Sequence, residues 1–409
     1  MDFEVFRFPN GIRLVNQQVN SPIAHTCILV KAGSRDEQVS KFGLAHFIEH
    51  LLFKRTERRN TSQILNRLES VGADLNAYTT KEYTCLHASF LKPYLGRTLD
   101  IFEDLLFHSV FPEEEMVKEK GIVLDEIASY RDSPEDAILD DFEDIVFEGH
   151  GLGHNILGKE KDLKTIVQSD IKRFLNENYR TSEIVIGISG PYSMKEVRRM
   201  TEKYFGHLKE NSSERAPATD LLTSLPHSTS RKLPINQVHY VLGSRAYSIH
   251  EDKKIGLLLL NNILGGIGMS SRLNMIVREK HGIAYTIESN YHPFADTGLF
   301  SVYFGTDEDK YLKARQLILR EFKKLRDNRF SELQLTQAKK KYKGQIALGE
   351  ENRLSLIIAQ AKSLLDHDDI QFLEEIFQKI DAVDADMMLE IANEILDPDQ
   401  FFSLSFLPE

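Results

Sequence analysis

The pattern of apolar and polar positions divides the chain into two series of elements that read alike. In the first half it predicts strands over residues 3–8, 12–17 and 26–31, followed by a short apolar helix that carries the run H-F-I-E-H, His46 to His50. A second helix is expected over 62–71, with Thr61 or Ser62 as N-cap and Gly72 beyond its end, where a left-handed residue closes many helices. Strands over 75–79 and 84–90 come next, then helices over 94–109, 113–130 and 136–147. Paired strands without regular strand–helix–strand alternation favour antiparallel sheets with a helical layer. The expected class is α+β, as two duplicated domains, each a mostly antiparallel sheet with helices packed on one face.

The duplication has direct marks. Gly33-Ser34-Arg35 matches Gly243-Ser244-Arg245, and Gly72 matches Gly282, both at an offset of 210 (243 − 33 and 282 − 72). Residues 209–234 are rich in Ser, Thr, Pro and charge and lack sustained periodicity, which marks a linker. The expected division is therefore 1–208, the linker 209–234, and a second copy over 235–409.

Composition changes this picture little. With 41% hydrophobic and 28% charged residues the 409-residue chain is an ordinary folded protein, long enough for two large domains. A formal net charge of −11 argues against a general nucleic-acid binder, which needs a concentrated basic surface. The two cysteines, Cys27 and Cys85, sit in strand-like runs and read as buried thiols of a reducing compartment. The longest apolar run, 255–260, ends at Asn261 and falls far short of the ~20 residues of a membrane span. No basic leader with a long apolar stretch opens the sequence, so the cytoplasm is the expected location, with no membrane partner.

The candidate chemistry lies in H-F-I-E-H. Residues at i, i+3 and i+4 share one helix face, so His46, Glu49 and His50 form a polar stripe on an otherwise apolar segment. Two imidazoles one turn apart can reach a single Zn²⁺, while a carboxylate between them poises a water without binding the ion. A half-exposed helix with two ordinary histidines has the same pattern, so a third ligand on another element has to decide. On the helix 113–130, Glu119 and Glu126 stand two turns apart on one face. Glu126, beside apolar residues, is the better ligand candidate. Glu119 reads either as a solvated helix charge or as a carboxylate that orients a ligand.

These residues resemble the inverzincins, the pitrilysin-type zinc peptidases, whose motif is H-x-x-E-H. The resemblance spans nearly the whole chain, and the family's short members have this two-half organisation. It implies one Zn²⁺ per chain held by His46, His50 and Glu126, with Glu49 as general base; Glu119, read from its helix face, joins the catalytic candidates as a carboxylate that orients a ligand or the water. The segment S-S-R-L-N-M-I-V-R-E-K-H-G-I-A-Y resembles the region of the second half that supplies an Arg and a Tyr for the substrate carbonyl, here Arg278 and Tyr285. Residues 72–84 resemble the family's substrate-binding edge strand, with Asn76 and Ala77 nearest the peptide backbone. At the repeat offset, His46, Glu49 and His50 fall opposite Gly256, Leu259 and Leu260, so only the first half is expected to bind zinc. The loop H-G-L-G-H, His150 to His154, is too glycine-rich to be a second metal helix. The resemblance implies an endopeptidase cutting unfolded peptides inside a chamber between two halves, as a homodimer or as a heterodimer with a paralogue. The alternative is a peptide-binding or processing subunit that requires a paralogous partner chain.

Overall fold

The computed structural model describes residues 3–211 and 224–409, so the central part of the expected linker, 212–223, lies outside the described residues. In chain order the first half contains β1 (Phe3–Arg7), β2 (Arg13–Gln18), β3 (Ile23–Val30), α1 (Leu44–Leu52), α2 (Thr61–Glu69), β4 (Asp74–Thr79), β5 (Thr84–Leu91), α3 (Leu95–Phe107), α4 (Glu113–Arg131), α5 (Pro134–Val146), α6 (Glu160–Thr165), α7 (Gln168–Asn178), β6 (Ile184–Gly190) and α8 (Met194–Phe205). The second half contains β7 (Ser228–Leu233), β8 (Val238–Ala246), α9 (Lys254–Leu264), β9 (Ala284–Pro293), β10 (Gly298–Thr306), α10 (Tyr311–Asp327), α11 (Glu332–Gly349), α12 (Arg353–His367), α13 (Leu373–Ala382), α14 (Ala385–Ile395) and β11 (Phe402–Pro408).

Two compact units result, and neither is continuous in sequence: one comprises 3–128, 154–211 and 349–371, the other 129–153, 224–348 and 372–409. The first sheet runs β1-β2-β6-β3-β5-β4 and the second β7-β11-β8-β10-β9. The second order is the first with β1 removed, each strand replaced by its copy. Each sheet is antiparallel except for one parallel pair, β2 with β6 and β7 with β11. The duplication expected from the glycines thus extends to topology.

Those glycines repeat for physical reasons. Gly72 and Gly282 both have φ in the left-handed region, +69° and +58°, as residues that turn the chain out of a helix into an edge strand. A Cβ on Gly33 would meet the Lys81 carbonyl oxygen at 2.4 Å, and one on Gly243 would meet that of Phe300 at 2.0 Å, so both sit where the neighbouring backbone comes too close for a side chain.

Each sheet carries its main helical layer on one face, as expected. In the first unit Ile28, Val30, Leu86, Ile186 and Ile188 pack with residues of α1, α2, α3 and α8. The opposite face is also covered, by one helix drawn from the other half of the sequence. Cys27, Val185 and Gly187 face α12, where Ile357 fills the space a Cβ on Gly187 would need. In the second unit Val241, Leu299, Tyr303 and Leu404 pack against Ile138, Phe142 and Val146 of α5. Helices α5 and α12 start 219 residues apart (353 − 134), so they are the same element of the repeat, reciprocally exchanged. The contiguous division at 1–208 and 235–409 therefore follows the duplication but not the packing.

The first helix caps differ in detail from expectation. The N-cap of α2 is Asn60: its side chain accepts from the Gln63 amide at 3.0 Å and the Gln63 side chain accepts from the Asn60 amide at 3.0 Å, a closed capping box that neither Thr61 nor Ser62 offers. Cys27 and Cys85 are buried free thiols, and burial pushes the Cys85 thiol up to about 12. Among the described residues no helix is long and apolar enough to cross a membrane.

Two glycines with similar φ give a stability test. Gly72 has open space where a Cβ would go, whereas a Cβ on Gly158, at φ +77°, would meet the Phe42 carbonyl oxygen at 2.1 Å. Gly72→Ala is expected to cost only the left-handed strain of roughly 1–2 kcal/mol, and Gly158→Ala clearly more. Urea unfolding of the two variants checks this, and equal midpoint shifts count against it.

Candidate metal centre

Helix α1 is nine residues long and buries Leu44, Ala45, Phe47, Ile48, Leu51 and Leu52. Its start is not capped locally, because its N-cap is Gly43, in the left-handed region at φ +93°. The cap comes from Glu37, whose carboxylate accepts the Gly43 and Ala45 amides at 2.8 and 2.7 Å and so places negative charge at the positive helix end. His154 Nε2 lies 3.0 Å from the same carboxylate and stacks on Phe42. Burial pushes the Glu37 carboxyl above its usual range, and its hydrogen bond with His154 opposes that shift.

His46 and His50 face carboxylates of α4, while Glu49 turns to Thr79 of β4. His50 Nδ1 lies 2.8 Å from Glu119 Oε1, and the carboxylate fixes the donor, so the neutral ring keeps its lone pair on Nε2. That Nε2 is 3.2 Å from His46 Nε2 and 3.5 Å from Glu126 Oε2, and His46 Nε2 is 3.7 Å from the same oxygen. Three donors about 2.0–2.1 Å from one tetrahedral ion stand roughly 3.3 Å apart. The convergence of His46, His50 and Glu126 therefore fits a zinc ion, and these atoms form one of the metal-competent groups among the described residues. Burial, then the neighbouring His50, pushes His46 down to about 3, which keeps its ring neutral and able to donate a lone pair.

Glu119 and Glu126 are two turns apart on one face of α4, so the His50 ring spans the gap between them, with one carboxylate at each ring nitrogen. Glu119 is buried and shared with Lys54, whose Nζ lies 2.7 Å from Oε2. Its contacts are with a candidate ligand and Lys54, which fits a positioning role. Glu49 accepts a 2.6 Å hydrogen bond from Thr79 Oγ1 at the end of β4. Burial raises the Glu49 carboxyl, and the Thr79 hydrogen bond and His50 oppose the shift. A half-buried carboxylate beside the donor cluster, raised above its ordinary value by burial, suits proton transfer.

The remaining sequence candidates fall elsewhere. Asn76 and Ala77 lie on β4, the edge strand of the first sheet, where Asn76 Nδ2 donates to Asp74 Oδ1 at 2.9 Å. Arg278 and Tyr285 belong to the second unit, on a π-helical turn (Asn274–Lys280) and on β9, with the guanidinium 5.0 Å from the ring centroid. Both line a cleft of about 540 Å³ with Glu288 and the loop Gly265 to Gly268. Gly256, Leu259 and Leu260, opposite the candidate ligands in the repeat, are buried in α9. His150 and His154 of the glycine-rich loop turn to separate carboxylates, Asp296 at 3.6 Å and Glu37 at 3.0 Å. Sequence reading missed Glu37, Lys54 and Thr79. Only Lys54, four residues after His50, left a local trace; the others act across elements.

Two family models match the chain, "Insulinase (Peptidase family M16)" over residues 13–160 and "Peptidase M16 inactive domain" over 165–342. A zinc protease of Bacillus subtilis, YmxG, itself uncharacterized, is 30% identical over 97% of this chain and 96% of its own length. The chain belongs to peptidase family M16. An uncharacterized zinc protease of Mycobacterium leprae is likewise 30% identical, over 95% of this chain and 88% of its own. A protease from Helicobacter pylori has the same fold, with a TM-score of 0.92 at 22% identity, covering 100% of this chain and 99% of that one. The name of the second family model suits a copy whose ligand positions are Gly256, Leu259 and Leu260.

Removing the carboxylate that fixes His50 tests the zinc fit. Glu119→Gln is expected to weaken zinc binding about 10–100-fold, measured by competition with a chromophoric chelator. Unchanged affinity removes Glu119 from the centre.

Proposed function

We propose that this M16 protein is a zinc-dependent endopeptidase that hydrolyses peptide bonds in unfolded peptides or small polypeptides. The observation that carries the reading is the convergence of His46 Nε2, His50 Nε2 and Glu126 Oε2 within 3.2–3.7 Å, beside a Glu49 carboxylate tethered by Thr79.

His46, His50 and Glu126 would hold one zinc ion per chain, which supplies Lewis acidity for a carbonyl and for water. Glu49 takes a proton from the attacking water and returns it to the leaving amide nitrogen, so one carboxyl serves as base and then as acid. Thr79 aims that carboxylate, and Glu119 with Lys54 holds His50 in the tautomer that presents Nε2. The outer edge of β4, with Asn76 and Ala77, suits an extended peptide that adds as a further strand, a mode that binds backbone and tolerates many side chains. Arg278 and Tyr285 are assigned to the substrate carbonyl by the family resemblance, and a fixed cation with a phenol suits a developing oxyanion. One chain carries both sets, so a homodimer needs no other subunit.

Glu49→Gln is expected to keep zinc at the parent stoichiometry while lowering turnover of a peptide library by at least about 10²-fold, the low end for a lost general base. Mass-spectrometric mapping of the cuts, with and without chelator, makes the measurement. A parent chain that holds zinc and cuts no peptide would instead be a peptide-binding or processing subunit that needs a paralogous partner. Tyr285→Phe is expected to lower kcat with zinc affinity unchanged, and full activity in that variant removes the phenol from the mechanism.

A further inference from the structure

A second group of two histidines and a carboxylate lies in the first unit, and the proposed peptidase chemistry makes no use of it. Glu103 and His108 come from α3, where His108 is the C-cap, and His207 follows Gly206, the C-cap of α8. His108 Nε2 lies 2.8 Å and His207 Nε2 3.4 Å from Glu103 Oε1, and the three donor atoms all lie within 4.8 Å of one another. We propose that Glu103, His108 and His207 form a second, structural site for a divalent transition-metal ion of zinc's class, which ties together the C-terminal ends of α3 and α8.

Four features point to a cation of this kind. Two imidazoles with one carboxylate select zinc-like ions over magnesium or calcium, which take oxygen ligands. Glu103 is buried, and Arg58 holds its Oε2, so Oε1 is aimed at the histidines. Glu57 Oε2 stands 3.4 Å from His108 Nδ1, placed to fix that ring from outside as Glu119 fixes His50 at the first centre. Two helices of 13 and 12 residues end at the site, so the negative ends of both dipoles favour positive charge between them. Beneath it Phe107 and Phe205 pack edge to face at 6.4 Å, so the helix ends already meet and the ion has a fixed seat. His207 is more than half exposed, which gives an ion a route of entry from solvent.

Zinc binding to the full-length protein, stripped with chelator and measured by equilibrium dialysis with metal analysis, tests the site. Two equivalents are expected in the parent chain. His207→Ala should lose one, as should the His46→Ala/His50→Ala variant, which lacks the first centre. Excess zinc should raise the melting temperature of that double variant, and no longer do so once His207→Ala is added. His108→Ala gives a second route to the same loss. A parent chain that binds one equivalent overturns the proposal. So does a second equivalent that survives in both His207→Ala and His108→Ala, or a His46→Ala/His50→Ala variant that binds none.

Discussion

The candidate centre depends on a short helix that cannot hold itself. Nine residues are too few for an isolated helix to be stable in water, and the face of α1 toward α4 is polar where the core offers apolar contact. Its position is therefore imposed from outside. Glu37 supplies the missing cap, and the glycines at 43 and 158 let the loop after His154 touch the helix start backbone to backbone. Buried Leu44, Phe47, Ile48, Leu51 and Leu52 seat the other face, each contributing roughly 1.5–3 kcal/mol. The polar stripe is then free to be arranged for chemistry, because other groups fix where it stands.

Within that frame the carboxylates of α4 act on one ring. Glu119 and Glu126 approach the two nitrogens of His50, and the two-turn spacing between them matches the width of an imidazole with a hydrogen bond on one side and a shared ion on the other. The buried charge on Glu119 is offset by Lys54, without which its desolvation would oppose folding. His46 has no such partner: its Nδ1 is buried without a hydrogen bond among the described residues, and burial keeps the ring neutral. The two candidate ligand histidines are thus prepared by different means, one by a hydrogen bond and one by exclusion of water.

Much of this was legible in the sequence wherever the signal is local. Helical spacing puts His46, Glu49 and His50 on one face, the single face of α4 offers Glu119 and Glu126, and the strand and helix limits of the first half fall within a few residues of their expected places. Contacts that cross elements left no such trace. Asn60, Thr61 and Ser62 are three cap-type residues in a row, and only the reciprocal bond with Gln63 chooses among them. Thr79 ends an edge strand like many threonines, and its hydroxyl matters only because α1 packs beside β4. The exchange of α5 and α12 was hidden for a deeper reason: an amphipathic pattern says that a face is buried, not which sheet buries it.

The duplication also bears on why the candidate metal centre lies in one copy. In α9 the positions of the two histidines and the glutamate are Gly256, Leu259 and Leu260, and both leucines lie fully within the core. A Cβ on Gly256 would meet Ile391 Cδ1 at 2.4 Å, so α14 occupies the space that a histidine there would need. Returning His, Glu and His to this helix would bury three polar groups, with Leu264 where the repeat offset puts Lys54, and an unpaired buried polar group costs on the order of 1–3 kcal/mol, more if charged. With Leu259 and Leu260 closed into the core, a single substitution in α9 would not build a metal site there.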